Sequence, residues 1–251
     1  MNNRWINLET INPEGKINLI CFPYSGTGAS FYASWGKKAP KELNILPVSY
    51  PMREKRISEK MPVSLVQLAE DFANESEELL NDLPFVLYGH CTGSIVAYEY
   101  AKAIQKKYGK TPSLFISASS PSPDFNHVKP LDESISDNEF AGKMAEMGLI
   151  NPVLAKDESF VQYFMPMIKG DYILHQNYRC TCEEQLSCPI TVFYGSQDTN
   201  LVSQDISGWK NFTGCSFQTV SLEEGHFFNK DESLLKIFGY ITDSVLKGGI
   251  N

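Results

Sequence analysis

The sequence of 251 residues has no long apolar run, and no stretch approaches the roughly 20 apolar residues that a membrane-spanning helix needs. Residues 1–7 lack the apolar core and the small-residue cleavage site of a signal peptide. Basic residues are also scarce: 22 Lys and Arg against 30 Asp and Glu give a net charge of −8. Nucleic-acid-binding proteins usually present a basic face. We therefore expect a cytoplasmic protein that binds neither membranes nor nucleic acid.

Cysteines are few for a chain of this length, with six at positions 21, 91, 180, 182, 188 and 215. In a cytoplasmic protein large enough to bury its own core they are expected to be free thiols. Cys180, Cys182, Cys188 and His175 form a loose cluster that raises the possibility of zinc. Their spacing is not that of a standard zinc site, so we expect no metal and no cofactor.

Short apolar runs alternate with amphipathic segments, which is typical of a parallel sheet built from strand–helix–strand units. A weak additional strand is predicted near Trp5–Leu8. The predicted fold is α/β, a single domain over residues 1–251 that we expect to be a monomer. The six clearer strands are predicted at Ile17–Phe22, Asn44–Ser49, Phe85–Tyr88, Ser113–Ser117, Ile190–Tyr194 and Ser216–Val220.

Three helices between these strands are predicted from apolar residues at helical spacing. The first follows Ser64, a candidate N-cap, and reaches Leu80. The second begins just after Cys91, and the third covers roughly Glu232 to Leu246. These helices alternate with the strands, as an α/β fold requires.

The alternation stops between Ser122 and Leu186, where no strand pattern occurs. This stretch contains turn-rich sequence and helical segments, one capped at Ser136 and another within Asp157–Leu174. An insertion of this kind in an α/β fold is typical of a lid. We interpret residues 122–186 as a helical lid.

The most informative motif is Gly89-His90-Cys91-Thr92-Gly93, which follows a predicted buried strand and opens a helix. It matches the Gly-x-nucleophile-x-Gly turn of α/β hydrolases, with Cys91 where serine is usual. The glycines are required because side chains there would clash in so tight a turn. The helix N-terminus favours a thiolate at Cys91. His90 is predicted to pack or hydrogen-bond, because its side chain points away across the turn.

The acid and the base of a triad are predicted on two later loops, in the chain order nucleophile, acid, histidine. Asp198 follows the strand Ile190–Tyr194, and His226 follows the next strand, so both lie at the same sheet edge. His226 would deprotonate Cys91, and Asp198 would orient His226. Asp205 is a rival acid, but it lies within a predicted helix. His127 and His175 are predicted to be solvated or packed within the lid.

An oxyanion hole is predicted from the loop Cys21–Ala29, whose composition lets backbone amides approach a reacting oxygen. In this type of fold one donor comes from such a loop, and the other from the residue after the nucleophile. We assign the amides of Ser25 and Thr92, with Tyr24 as the alternative in the loop. The residues that would bind substrate are unknown from sequence.

Several segments together resemble one known family. Residues 22–26 (Phe-Pro-Tyr-Ser-Gly) are similar to the Phe-Pro-(His/Tyr)-Ala-Gly-Gly loop of type II thioesterases, the editing enzymes of nonribosomal peptide and polyketide synthases. Residues 50–56 are similar to that family's Pro-Gly-Arg-Glu-x-Arg motif. The resemblance continues through segments in the family's order across nearly the whole chain, at 89–93, 136–140, 171–174, 188–191 and 225–228.

The resemblance implies an α/β-hydrolase fold and a substrate, an acyl or aminoacyl thioester on the phosphopantetheine arm of an acyl or peptidyl carrier protein. The lid would then form the acyl pocket and the channel for the arm. Because such carriers are generally acidic, docking needs a basic surface near the entrance. Two clusters are candidates: Lys37, Lys38 and Lys41, or Arg53, Lys55 and Arg56, although Arg53 could instead be structural.

Cys91 is the main departure from the family's pattern. An acyl group on cysteine is still a thioester, so loading is nearly thermoneutral and the adduct stays reactive toward amines, thiols and hydroxyls. One interpretation is therefore transfer or cyclisation with an acceptor other than water. The other is ordinary hydrolysis by a variant in which cysteine, natural or introduced, stands in for serine. A noncatalytic carrier-binding protein is disfavoured because all three triad residue types are present.

Overall fold

A central sheet of six parallel strands organises the protein. The computed structural model describes residues 3–7, 11–80, 83–125, 128, 130–181, 184–199, 201 and 206–248. The strand order is β2-β1-β3-β4-β5-β6, with every neighbouring pair parallel. The strands are Ile17–Phe22 (β1), Leu43–Pro47 (β2), Phe85–His90 (β3), Leu114–Ala118 (β4), Ile190–Gly195 (β5) and Phe217–Leu222 (β6).

The predicted strand positions are confirmed to within two residues at each end, because most runs are bounded by residues that favour turns. The N-terminal strand predicted near Trp5–Leu8 is wrong for residues 5–7, because residues 4–6 form a bend and residue 7 is in no strand; Leu8 lies outside the described residues. Trp5 is nevertheless buried, and its carbonyl accepts a hydrogen bond from the Ser49 amide. A single such bond does not extend into a ladder.

Six α-helices are present in the part of the chain that the structure describes. They are Ala33–Lys38 (α1), Leu65–Asn74 (α2), Thr92–Tyr108 (α3), Asp137–Glu146 (α4), Glu158–Asn177 (α5) and Asp231–Leu246 (α6). Short 3₁₀ turns lie at Ala29–Tyr32, Glu54–Arg56, Glu77–Leu80, Leu154–Lys156 and Gly208–Phe212.

Helices cover both faces of the sheet, because alternate strand residues point to opposite sides. On one face Ile20 and Phe22 of β1 pack with apolar residues of α2 and α3. On the other, Leu19 and Cys21 pack with Trp35 of α1 and with α6. All six residues of β1 are buried, as expected for a central strand of a parallel sheet. The predicted α/β fold is confirmed.

Helix α2 begins as predicted, with the Ser64 hydroxyl accepting a hydrogen bond from the Gln67 amide at 3.0 Å. It ends earlier than predicted, at Asn74 rather than near Leu80. The side chain of Ser76 is fully buried and its hydroxyl lies 2.8 Å from that of Tyr100. Serine side chains that find such partners compete with helix formation, so the chain continues as a 3₁₀ turn.

The described residues between 122 and 186 contain α4 and α5 and no strand beyond a single bridge at Leu186. Ser136 and Glu139 form the capping box expected at the start of α4. The two helices share a small apolar core separate from those of the sheet. Helix α5 continues through Pro166, and exposed Tyr163 lies three residues before it. Helix α5 reaches the residues that follow β1 and β3 at their carboxyl ends, as the contacts below establish.

No helix among the described residues is long and apolar enough to cross a membrane. Four of the described cysteines, at positions 21, 91, 188 and 215, are free thiols. Cys182 lies outside the described residues.

Candidate active site

Cys91 lies at a sharp turn between β3 and α3, with φ of 50° and ψ of −123°. A non-glycine residue rarely adopts such a conformation, and it is retained where the surroundings enforce it. A Cβ atom on Gly89 would lie 2.4 Å from the Gly93 carbonyl oxygen, and one on Gly93 would lie 2.2 Å from that of Phe22. The two glycines therefore let the turn close against β1.

We expect Gly93→Ala to destabilise the protein, because the added methyl group meets backbone atoms that cannot move aside. The loss should be about 2–3 kcal/mol in the free energy of unfolding, measured by urea denaturation. Gly142→Ala is the matched control, since a Cβ there meets nothing within 4 Å on helix α4. That variant should be as stable as the parent or more stable by up to about 1 kcal/mol. Equal stability of the two variants would contradict this account of the turn.

The structure brings His226 and Asp198 together, as predicted from their positions after β6 and β5. The Nδ1 atom of His226 lies 2.8 Å from Oδ2 of Asp198. The Asp198 side chain is completely buried, whereas that of His226 is 13% exposed. A buried carboxylate on Nδ1 fixes the ring orientation and leaves Nε2 for the reaction. The rival acid Asp205 lies outside the described residues.

The electrostatics of Cys91 and His226 are coupled. Burial raises the pKa of the Cys91 thiol, but the charge of His226, a hydrogen bond with it and the bonds from Thr92 outweigh burial, so this pKa is lowered. Burial lowers the pKa of His226, while the Cys91 charge and the bonds to Asp198 and Cys91 raise it to about 10. The pair therefore favours a thiolate beside an imidazolium at neutral pH.

His90 supports the loop that carries His226. Its Nε2 donates to the His226 carbonyl oxygen at 2.8 Å. Burial and the nearby charge of His226 lower its pKa to about 3, so His90 is neutral. This agrees with the prediction that His90 forms a hydrogen bond.

The predicted oxyanion residues lie next to each other. The Ser25 hydroxyl is 2.8 Å from the Thr92 hydroxyl, and the Thr92 amide donates to the Cys91 sulfur. Tyr24 and Thr27 close a turn through the Thr27 amide. Within the described residues, the amides of Tyr24 and Ser25 have no acceptor in the protein, so either can face a ligand. The pKa of Tyr24 is raised to about 12, first by burial and then by the Cys91 charge, which places it beside the thiol.

Sequence reasoning missed the position of His175. This residue of α5 is buried, and its Nδ1 lies 2.9 Å from the Thr92 hydroxyl, beside the candidate nucleophile. No local pattern indicated the contact, because the two residues are 83 positions apart. The described residues contain no group of three or more His, Cys, Asp or Glu placed to hold a metal ion.

The proposed docking role of Arg53 and Arg56 is wrong, because both side chains are buried. Arg53 forms a two-pronged ion pair with Asp171 of α5. Arg56 stacks over the Trp5 ring at 4.1 Å and pairs with Glu59. A guanidinium suits both partners through its planar shape.

The alternative basic cluster, Lys37, Lys38 and Lys41, is exposed on and beside α1. Lys38 pairs with Asp231 of α6. Lys55 of the first cluster is also exposed. These lysines therefore remain the accessible positive charges among the candidates for docking.

Taken together, the site offers a thiolate, an imidazole beside it, a buried carboxylate behind the imidazole, the Thr92 amide bonded to the sulfur, and two nearby amides, of Tyr24 and Ser25, without a protein acceptor. This set can attack a carbonyl carbon, stabilise the resulting oxyanion and protonate a leaving group. The chemistry it supports is acyl transfer through a covalent intermediate.

A model of the thioesterase domain family matches residues 17–244. Gramicidin S biosynthesis protein GrsT of Aneurinibacillus migulanus is 28% identical over 227 residues, covering 90% of this chain and 88% of that protein. The medium-chain S-acyl fatty acid synthase thioesterase of Homo sapiens is 29% identical over 235 residues, covering 90% and 86%. Among solved structures, the type II thioesterase BorB from the borrelidin biosynthetic cluster has a TM-score of 0.82 at 26% identity, covering 96% and 97%.

Proposed function

The chain belongs to the thioesterase domain family and is a thioester hydrolase; from this premise we propose that it is a type II thioesterase that removes acyl or aminoacyl groups from carrier proteins. The observation that carries the proposal is the chain of contacts from Cys91 through His226 to Asp198. Relatives named for gramicidin S biosynthesis and the borrelidin cluster support the class of pathway.

In the first half-reaction the Cys91 thiolate attacks the carbonyl carbon of the substrate thioester. The carbonyl oxygen becomes an oxyanion, held by the Thr92 amide and by that of Ser25 or Tyr24. The bond from carbon to the pantetheine sulfur then breaks, and the His226 imidazolium gives its proton to that sulfur. The products are a free phosphopantetheine thiol and an acyl group on Cys91.

In the second half-reaction His226, now neutral, takes a proton from water as the water oxygen attacks the acyl carbon. The bond to the Cys91 sulfur breaks, and a carboxylic acid leaves. Asp198 stabilises the imidazolium that forms and keeps Nδ1 protonated. Because Asp198 is buried and hydrogen-bonded to His226, it orients the ring in both half-reactions.

We assign residues 122–186 the role of a lid that forms the acyl pocket and guides the phosphopantetheine arm. Two contacts of α5 support this, since His175 reaches Thr92 and Asp171 reaches the Gly26 amide. A carrier protein would deliver the arm from outside this segment. Exposed lysines near α1 would be suited to an acidic carrier surface.

The proposal is tested by intact-mass analysis of the protein mixed with a panel of acetyl-, butyryl-, octanoyl- and alanyl-pantetheine thioesters. An acyl mass that maps to Cys91, followed by its loss with release of the free acid, is the expected result. A protein that stays unmodified and produces no free acid from any member of the panel overturns the proposal.

A second candidate function, acyl transfer to an acceptor other than water, is favoured by one observation, the thiol of Cys91. An acyl-cysteine is a thioester, which amines attack much faster than they attack an oxyester. We expect added hydroxylamine to divert about ten times more product from Cys91 acyl-enzyme than from the Cys91→Ser variant, because the two adducts differ in the leaving group. Product ratios from mass spectrometry check this. Equal ratios would favour hydrolysis as the only function.

A further inference from the structure

One face of α5 contacts both parts of the proposed oxyanion hole. Ile168, Asp171 and His175 are spaced three and four residues apart, so they lie on the same side of the helix. Ile168 packs against Gly26, where an added Cβ would come within 2.7 Å of it. Asp171 bonds to the same loop, and His175 bonds to Thr92 on the other side of the site.

Asp171 is the centre of these contacts. Its Oδ2 accepts hydrogen bonds from the Gly26 amide at 2.8 Å and from Nη1 of Arg53 at 2.9 Å. Its Oδ1 accepts from Nη2 of Arg53 at 2.7 Å. The two side chains are only 9% and 4% exposed. Removing such charges from water is expensive, and a buried ion pair often adds little to stability, which suggests another role.

The loop held by this ion pair has a defined shape. Gly26 has a φ of 79°, the value required at the third position of a type II turn, here the turn closed between Tyr24 and Thr27. Nη1 of Arg53 also donates to the Thr27 carbonyl oxygen at 2.8 Å. Asp171 thus binds the amide of Gly26, and Arg53 binds the carbonyl oxygen of the next residue, Thr27. Ser25 and Tyr24, whose amides are the candidate oxyanion donors of this loop, are the two residues that precede Gly26.

Glu54, the neighbour of Arg53, holds the far end of the same loop. Its carboxylate accepts hydrogen bonds from the amides of Ala29 and Ser30 at 3.1 and 2.9 Å. Arg53 and Glu54 therefore form hydrogen bonds to the loop at two places, at Thr27 and at Ala29 and Ser30. Neither side chain is placed to dock a partner through those atoms.

On the other side of the site, His175 holds Thr92. The Thr92 hydroxyl is bonded both to His175 and to the Ser25 hydroxyl. This chain of hydrogen bonds runs from α5 to the start of α3 and then to the loop. It connects the residues whose amides are the two proposed donors.

We propose that Asp171, Arg53 and His175 are positioning residues that set the two sides of the oxyanion hole relative to each other. The inference rests on the proposed function, because this oxyanion forms when Cys91 attacks the carbonyl carbon of a thioester. Donors stabilise an oxyanion best when they are fixed before the reaction. The C-terminal half of α5 is then a fixed support of the site within the proposed lid.

The test separates reactions that need an oxyanion hole from one that does not. Iodoacetamide alkylates Cys91 without forming an oxyanion, whereas a thioester must form one. For Asp171→Asn we expect Cys91 alkylation within about twofold of the parent. Single-turnover acylation, by whichever pantetheine thioester of the panel loads the parent fastest, should fall about 10²-fold, as after loss of one oxyanion donor. The KM for that thioester should change little.

Asp171→Asn leaves the Arg53 guanidinium buried without its charged partner, so the variant could unfold. The double variant Arg53→Met with Asp171→Leu avoids this, because apolar replacement of a buried ion pair is often tolerated. It should fold, keep the alkylation rate and lose acylation to a similar extent. Normal acylation by the folded double variant overturns the role of the ion pair.

His175 is tested by two variants that differ in hydrogen bonding. An asparagine side chain can place a hydrogen-bonding atom where Nδ1 of histidine lies, whereas leucine cannot. We expect His175→Asn to retain most of the acylation rate and His175→Leu to lose about tenfold, with alkylation unchanged in both. Equal acylation in the two variants overturns the role of His175.

Three outcomes that contradict the proposals are distinguishable. If the parent is alkylated by iodoacetamide but acylated by no thioester, the proposed function fails, and the oxyanion role falls with it. If the parent is acylated and the variants are acylated equally fast, only the positioning role fails. If the variants lose alkylation and acylation together, the residues maintain the whole site and the specific role is overturned.

Discussion

Replacing Cys91 by alanine should abolish the acyl adduct and lower thioester turnover by at least about 10³-fold. The variant retains the oxyanion donors and His226, so any residual activity would come from direct attack of water. The measurement is intact mass for the adduct and release of free pantetheine thiol for turnover. Because Cys91 has a strained conformation with φ of 50°, alanine should fit the turn no worse.

Cys215→Ala is the matched control for Cys91→Ala. Cys215 is also free, but it is exposed and away from the strand ends that carry the site. This variant should keep both the adduct and the turnover of the parent. An acyl mass that persists in Cys91→Ala and disappears in Cys215→Ala would contradict the assignment of the nucleophile.

Replacing His226 by glutamine should lower turnover by about 10³-fold or more, because it removes both the proton donor for the leaving thiol and the base for water. It should also change the titration of Cys91. The charge of His226 and its hydrogen bond lower the Cys91 pKa against the opposing effect of burial. Without them only the Thr92 bonds oppose burial, and the pKa of Cys91 should rise relative to the parent.

The pH dependence of alkylation by iodoacetamide measures this shift. Only the thiolate reacts, so in the parent Cys91 should react at pH values below the usual range for cysteine, and the rate should fall as pH drops through its lowered pKa. In His226→Gln the whole profile should move to higher pH, with at least a tenfold slower reaction at pH 7. The alkylation rate of exposed Cys215 in the same samples serves as the internal control. Superimposable profiles for Cys91 would contradict the coupling.

Much of the sheet and the candidate triad could be predicted because their signals are local. Buried parallel strands are continuous apolar runs, and loops after such strands meet at one edge. Asp198 and His226 each follow one of these runs. Their proximity could therefore be predicted once the two strands were taken to be neighbours in the sheet. Gly89 and Gly93 flank Cys91 within a single turn. The backbone approaches both residues too closely for a Cβ atom, so the requirement for glycine is visible in the Gly-x-Cys-x-Gly spacing.

The contacts of α5 could not be predicted, because they join residues far apart in sequence. Arg53 and Asp171 are separated by 118 positions, and neither lies in a periodic pattern that favours the other. Both belong to segments that resemble the thioesterase family, which was the available signal. Arg53 is a docking candidate in the sequence because it belongs to a basic cluster that would suit an acidic carrier, but its side chain is buried and paired with Asp171.

The prediction of an N-terminal strand is wrong for a different reason. Trp5 and Ile6 are as buried as strand residues, so the apolar pattern was real. Burial alone does not specify a ladder, because a bend can also place apolar side chains against a core. Trp5 packs on Phe72 of α2 at a ring distance of 5.4 Å.

The mutual dependence of Cys91 and His226 has a consequence for the timing of the reaction. The negative charge on Cys91 is the largest influence that raises the His226 pKa. Acylation of the sulfur removes this charge, so the imidazole becomes easier to deprotonate at the moment when a base is needed. Before loading, the ring holds its proton and cannot activate water. In the proposed mechanism, acylation of Cys91 would therefore convert His226 from an acid into a base, and in the unloaded protein His226 would not yet activate water.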